Sequence, residues 1–155
     1  MSEPFYFEDH NVGESVNCGS LEVMAEDVIA FARQWDPQPW HIDEAAAKAS
    51  VFGGLTACSA HIFSMYSISS PQWENGRAMQ AIASLGFDEM RMLAPVYAGD
   101  TLRCVTTTDA ARISKSRPDC GIVVYASQLI NQNEQVVFSI KCSTLMARNP
   151  ELLDS

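Results

Sequence analysis

No apolar run in this sequence reaches the roughly 18 residues that a membrane-spanning helix needs, so no such helix is expected. The first residues, MSEPFYFEDHNVGES, lack the basic start and apolar centre of a secretory signal, and the protein is expected to be cytoplasmic and unprocessed. Basic residues are scarce. Ten Lys and Arg face 19 Asp and Glu, a formal net charge of -9, which argues against a nucleic-acid partner because a phosphate backbone needs a Lys/Arg surface. No glycine-rich phosphate loop is present either. The five cysteines, Cys18, Cys58, Cys104, Cys120 and Cys142, are odd in number, widely spaced and never C-x-x-C, so neither a disulfide framework nor a zinc site is expected. Asp36, His41 and Asp43 lie close together but offer a metal only one nitrogen ligand, and no metal is expected there.

What is present is an ordinary globular composition, 47% hydrophobic over 155 residues, enough for one core and one domain over residues 1–150, with a frayed tail at 151–155. GESVNCGSLEV reads as an edge strand or extended arm. In MAEDVIAFARQW the apolar Val28, Ile29, Phe31, Ala32 and Trp35 fall on one helical stripe, with Glu26 and Asp27 at the end where the helix dipole favours acids. Pro37 and Pro39 disfavour helical geometry at Asp36 and Gln38, so a helix over about 25–35 ends with Asp36 on a corner. IDEAAAKAS predicts a short helix with Asp43 as its N-cap, and VFGGLT breaks it. CSAHIFSMYSIS is small or apolar on every side, which predicts a helix buried on nearly all faces and ended by Pro71.

Strands are predicted over about 81–93, 101–116, 120–132 and 136–148, with turns at PVYAGD, KSRPD and NQNE. This order predicts an α+β layer whose antiparallel sheet wraps the buried helix. Such a sheet leaves an edge strand and an open face, so a homodimer is expected.

FARQWDPQPWHIDEAAAKASVFGGLTACSAH, followed by PVYAGDTL and SRPDCGIV, resembles the MaoC-like dehydratases, hotdog-fold enzymes that include (R)-specific enoyl-CoA hydratases. The likeness covers nearly the whole chain. Asp36, Pro39 and His41 fall on the Asp, Pro and His of that family's D-x-N-P-x-H motif, with Gln38 at the asparagine. The resemblance implies a hotdog fold with a short helical overhang and a hydro-lyase that acts on the C2–C3 bond of an acyl-CoA. It needs no cofactor beyond the coenzyme A of its substrate. It also implies roles: Asp36 and His41 hold the catalytic water, and a backbone N–H at the start of the central helix binds the thioester oxygen. That last position, a glycine in the family, is Ser59 here.

Hydration of an enoyl thioester needs a base for water, a proton source for the α-carbon and a donor for enolate charge, and these groups supply all three. Ser67 and His61 are candidates for supporting roles. Arg112, Lys115 and Arg117 are candidates for the coenzyme A phosphates. Cys58 reads as a small helix residue rather than a nucleophile. Two other readings stay open, an acyl-CoA thioesterase and a non-catalytic acyl-CoA-binding protein. Assemblies of more than two chains stay open as well.

Overall fold

The predicted strands pair into one antiparallel sheet, and its buried rows explain why the chain curls. In chain order the elements are β1 (Pro4–Phe5), β2 (Ser15–Glu22), α1 (Ala25–Trp35), α2 (Pro39–Ile42), α3 (Glu44–Ala49), α4 (Ser59–Ser69), β3 (Trp73–Glu74), β4 (Arg77–Met79), β5 (Ala81–Met92), β6 (Thr101–Ile113), β7 (Cys120–Ile130) and β8 (Val136–Ala147). The computed structural model describes residues 2–70, 73, 74 and 76–153. Pro71, expected to end the central helix, and residues 154–155 of the expected tail lie outside them.

The large sheet runs β2-β6-β7-β8-β5 and is antiparallel at every pairing. Side chains on β6, β7 and β8 alternate between buried and partly exposed, the period-two signature of a sheet with one covered face. Asn131 closes the β7–β8 hairpin, its amide donating to the Gln135 carbonyl at 2.9 Å.

α4 lies on the covered face through Ile62, Met65 and Tyr66, which pack with Leu102, Cys104, Leu129, Phe138 and Ile140. This is the expected hotdog arrangement. The expectation of burial on nearly all faces needs correction, because Ala60, Ser64, Ser67 and Ile68 are exposed in the single chain. The physical reason is the position of α4 beside an edge strand. β5 carries exposed Ile82, Leu85, Phe87, Met90 and Met92, and Phe63 of α4 meets Phe87, so α4 borders an apolar strand that is exposed in the single chain.

The other end of the covered face is occupied by an N-terminal arm that the sequence patterns do not announce. β1 pairs in parallel with β4, and β4 pairs with β3, in a three-stranded sheet. Arg77 ties the arm together by donating to the Pro4 carbonyl at 2.6 Å and to Asp9 at 3.0 Å. The Phe7 ring lies so close to β7 that a Cβ on Gly121 would sit 2.0 Å from it, so only glycine fits at that position.

Candidate active site

α1 ends where the prolines require. Asp36 leaves helical geometry (φ -159°, ψ 75°) while its amide still donates to the Ala32 carbonyl. The Gln38 amide donates to the Asp36 carbonyl at 2.8 Å, a tight turn around the fixed φ of Pro37. Pro39 then opens α2, a single turn that was not anticipated and that carries Trp40 and His41. Asp43 caps α3 as expected, accepting from the Ala46 amide at 2.8 Å.

α2 is pinned to the chain that enters α4. The Thr56 amide donates to the Trp40 carbonyl at 3.3 Å, and His41 Nδ1 lies 2.6 Å from the Thr56 carbonyl. Since a carbonyl only accepts, Nδ1 carries the proton and Nε2 the lone pair. Nε2 faces two groups. Trp40 Nε1–H donates to it at 3.1 Å, and Asp36 Oδ2 stands 3.9 Å away. The His41 ring is buried, whereas the Asp36 side chain is 40% exposed and open to water.

The turn at Gly53 (φ +69°) lets the chain double back from α3, and Tyr97 fixes it by donating to the Phe52 carbonyl at 2.8 Å. Beyond it, the Ala57 amide donates to the Val96 carbonyl, and Cys58, in extended geometry, is the N-cap of α4. Ser59 is therefore the first residue of that helix. Its amide is one of the first-turn N–H groups that a helix leaves unpaired, at the positive end of the dipole. His41, Trp40, Thr56, Ser59 and Met92 line one cavity of about 380 Å³.

The side chain at Ser59 in place of glycine carries no backbone strain. Among the described residues the non-glycine positions with positive φ are Glu89 and Glu134.

The remaining candidates lie elsewhere. His61 turns toward α1 and stacks on Phe31, ring centres 4.5 Å apart, and burial pushes its imidazole below the ordinary range against the pull of Asp27. Ser67 lies two turns further along α4, in a second cavity. Arg112, Lys115 and Arg117 sit at the β6–β7 turn. The Thr101 end of β6 is near the site, so about 40 Å of extended strand separates them from it within one chain. Arg117 is also engaged by Asp119 at 2.7 Å. In a single chain these three cations do not meet the cavity. Cys58 is a buried helix cap, as a small residue there should be. Among the described residues no group of His, Cys, Asp and Glu forms a metal site. The sequence reading missed Trp40 and the Thr56 carbonyl. An indole N–H next to a histidine was the available signal for the first; nothing local announces the second.

Single hotdog domains that carry polar groups on a helical overhang form a recognisable class, and comparison with known proteins puts this chain within it. The family model described as "MaoC like domain" matches residues 9–128, and the chain belongs to that family. It is 29% identical over 143 residues to the uncharacterized protein YdeM of Bacillus subtilis, covering 91% of this chain and 98% of YdeM. The crystal structure of a MaoC-like dehydratase from Rhodospirillum rubrum is 34% identical with a TM-score of 0.83, covering 94% of this chain and 99% of that one. R-hydratase PhaJ1 from Pseudomonas aeruginosa shares the fold, with a TM-score of 0.74 at 21% identity, covering 96% of this chain and 88% of that one. No helix among the described residues is long and apolar enough to cross a membrane.

Proposed function

We propose that this protein is a homodimeric hydro-lyase that adds water to, or removes it from, the C2–C3 bond of an acyl-CoA thioester. The observation that carries the reading is that His41 and Ser59, whose amide opens α4, line one cavity, with Asp36 Oδ2 3.9 Å from the lone-pair nitrogen of His41. Membership of a family named for dehydratases supports it.

A water about 2.8 Å from both Asp36 Oδ2 and His41 Nε2 fits over their 3.9 Å separation. In hydration, the Asp36 carboxylate takes a proton from that water as its oxygen bonds to C3. The C2–C3 π electrons move toward the thioester, and negative charge gathers on its carbonyl oxygen. The Ser59 amide donates to that oxygen. The carboxylic acid formed at Asp36 then returns the proton to C2, so one water has been added and Asp36 is restored. His41 orients the water through Nε2, whose lone pair the water shares with the Trp40 indole N–H, and the Thr56 carbonyl holds the ring at Nδ1. Dehydration runs the same steps backwards. None of the five cysteines, all of them among the described residues, forms a disulfide, which suits a reducing compartment, and the cytoplasm is the one we assign.

Purified protein with crotonyl-CoA and branched enoyl-CoAs should consume the enoyl-thioester absorbance. No change with any of them removes the reading. Release of free thiol to a trapping dye would point to a thioesterase instead, and tight acyl-CoA binding without turnover to a binding protein.

The exposure of β5 supports the dimer. A 12-residue edge strand with five exposed large apolar side chains is a pairing and aggregation hazard unless covered. Pairing with its own copy about a two-fold axis covers the same patch on both chains and the exposed side of α4 beside it. Sedimentation velocity at micromolar concentration should give twice the 17.0 kDa chain mass; a monomer there rules the pairing out.

A further inference from the structure

Trp40 and His41 are consecutive residues of α2, and neighbours on a helix point about 100° apart, so their side chains do not meet by default. Here they meet. The Trp40 indole N–H donates to Nε2 of His41 at 3.1 Å, with ring centres 5.9 Å apart and ring planes at 68°. The indole is itself held in place, since it packs on the core cluster and against Phe52 at 6.3 Å between ring centres.

A neutral imidazole has one lone pair, on the nitrogen without the proton. In His41 that nitrogen is Nε2, because Nδ1 donates to the Thr56 carbonyl. Asp36 Oδ2, 3.9 Å from Nε2, is an acceptor and makes no hydrogen bond to a bare lone pair. It would bond a protonated Nε2. Two arrangements therefore compete at this nitrogen, a neutral ring capped by Trp40 and an imidazolium paired with Asp36. The indole only donates, so it fits the first and loses its bond in the second.

The proposed chemistry needs the first arrangement. A His41 imidazolium has no lone pair with which to orient water. Its charge also stabilises the Asp36 carboxylate and makes it a poorer base. Water and the indole are both donors and can share the lone pair, whereas a bound proton excludes them both. Asp36 is the charged group facing Nε2, the Thr56 carbonyl faces Nδ1, and none of the other described residues lining the cavity is titratable.

We propose that Trp40 is a positioning residue that acts through His41: its indole N–H reserves Nε2 for donors, keeps the ring from pairing with Asp36, and so leaves the Asp36 carboxylate available as the base. This deepens the hydro-lyase reading above and rests on it.

Proton–nitrogen correlation spectra of protein labelled at its histidines read which ring nitrogens carry protons, and His41→Ala assigns the His41 signals among the three histidines. Trp40→Phe keeps an aromatic ring and removes the N–H. In that variant His41 should take up its second proton about one pH unit higher than in the parent, the size of one net hydrogen bond. His10, whose Nε2 meets the Tyr125 hydroxyl instead, serves as the internal reference. Over the same pH window the crotonyl-CoA hydration rate of Trp40→Phe should fall by up to about tenfold relative to the parent as pH is lowered. A rate ratio that is constant across pH marks a merely structural role and overturns the inference, as does a His41 titration identical in the two proteins. A parent-only measurement covers a variant that does not fold. One of the three tryptophan indole proton resonances should shift where His41 gains its proton and change in His41→Ala, and three resonances indifferent to both overturn the inference. Hydration by the parent with an unshifted His41 in the variant overturns this inference alone. A shifted His41 in a protein that hydrates no enoyl-CoA leaves the hold of Trp40 on His41 standing and overturns the hydro-lyase reading.

Discussion

Asp36→Asn should lower kcat for crotonyl-CoA hydration by about a thousandfold, within the range that loss of a positioned general base costs. The substitution keeps side-chain shape, and the corner survives, because Pro37, the Ala32 carbonyl and the Gln38 amide hold it without using the carboxylate. KM should change little, since Asp36 acts on water and not on the coenzyme A end of the substrate. His41→Ala should also lower kcat steeply while leaving Thr56 and Trp40 without their imidazole partner. The double variant should then be scarcely worse than Asp36→Asn alone, because two groups that hold one water act as a unit. Asp36→Asn with kcat within about threefold of the parent protein would remove Asp36 as the base.

That prediction rests on a part of the chain whose form is written locally. Pro37 and Pro39 end α1 at Trp35 by their own sterics, and Asp43 caps α3 through its own side chain, so both are legible from neighbouring residues. The long strands are legible for the same reason, since alternation is a local pattern. The rest depends on partners distant in sequence. β1 exists because Pro4–Phe5 meets Ala78–Met79, more than 70 residues away, and no two-residue pattern announces that. α2 is a single turn whose hold on the site is the Thr56 carbonyl, a backbone group with no signature. The evenly small and apolar α4 reads as buried all round because its sequence does not distinguish the side that meets its own sheet from the side that faces outward. Arg112, Lys115 and Arg117 show the converse. They stand together in sequence, but β6 carries them away from Ser59.

Ser59→Pro should lower kcat about a hundredfold or more while leaving the fold intact, and it tests the one proposed role that no side chain performs. Proline has no N–H, so the substitution deletes the proposed donor to the thioester oxygen and little else. The position is suited to it. Ser59 is the first residue of α4, where an amide makes no intrahelical bond and proline's fixed φ is already helical. Cys58 before it sits at φ -72° and ψ 159°, the extended geometry that a residue preceding proline adopts. Denaturant midpoints should therefore move little. Loss of one oxyanion donor in comparable sites costs about 3 kcal/mol of transition-state stabilisation, which sets the expected size. Ser59→Gly and Ser59→Ala keep the amide, and both should stay within about threefold of the parent, because the helical φ at this position requires no glycine. Near-parental kcat in Ser59→Pro would mean that enolate charge is held by some group other than the start of α4. A fall shared equally by Ser59→Ala would move the role from the amide to the serine hydroxyl.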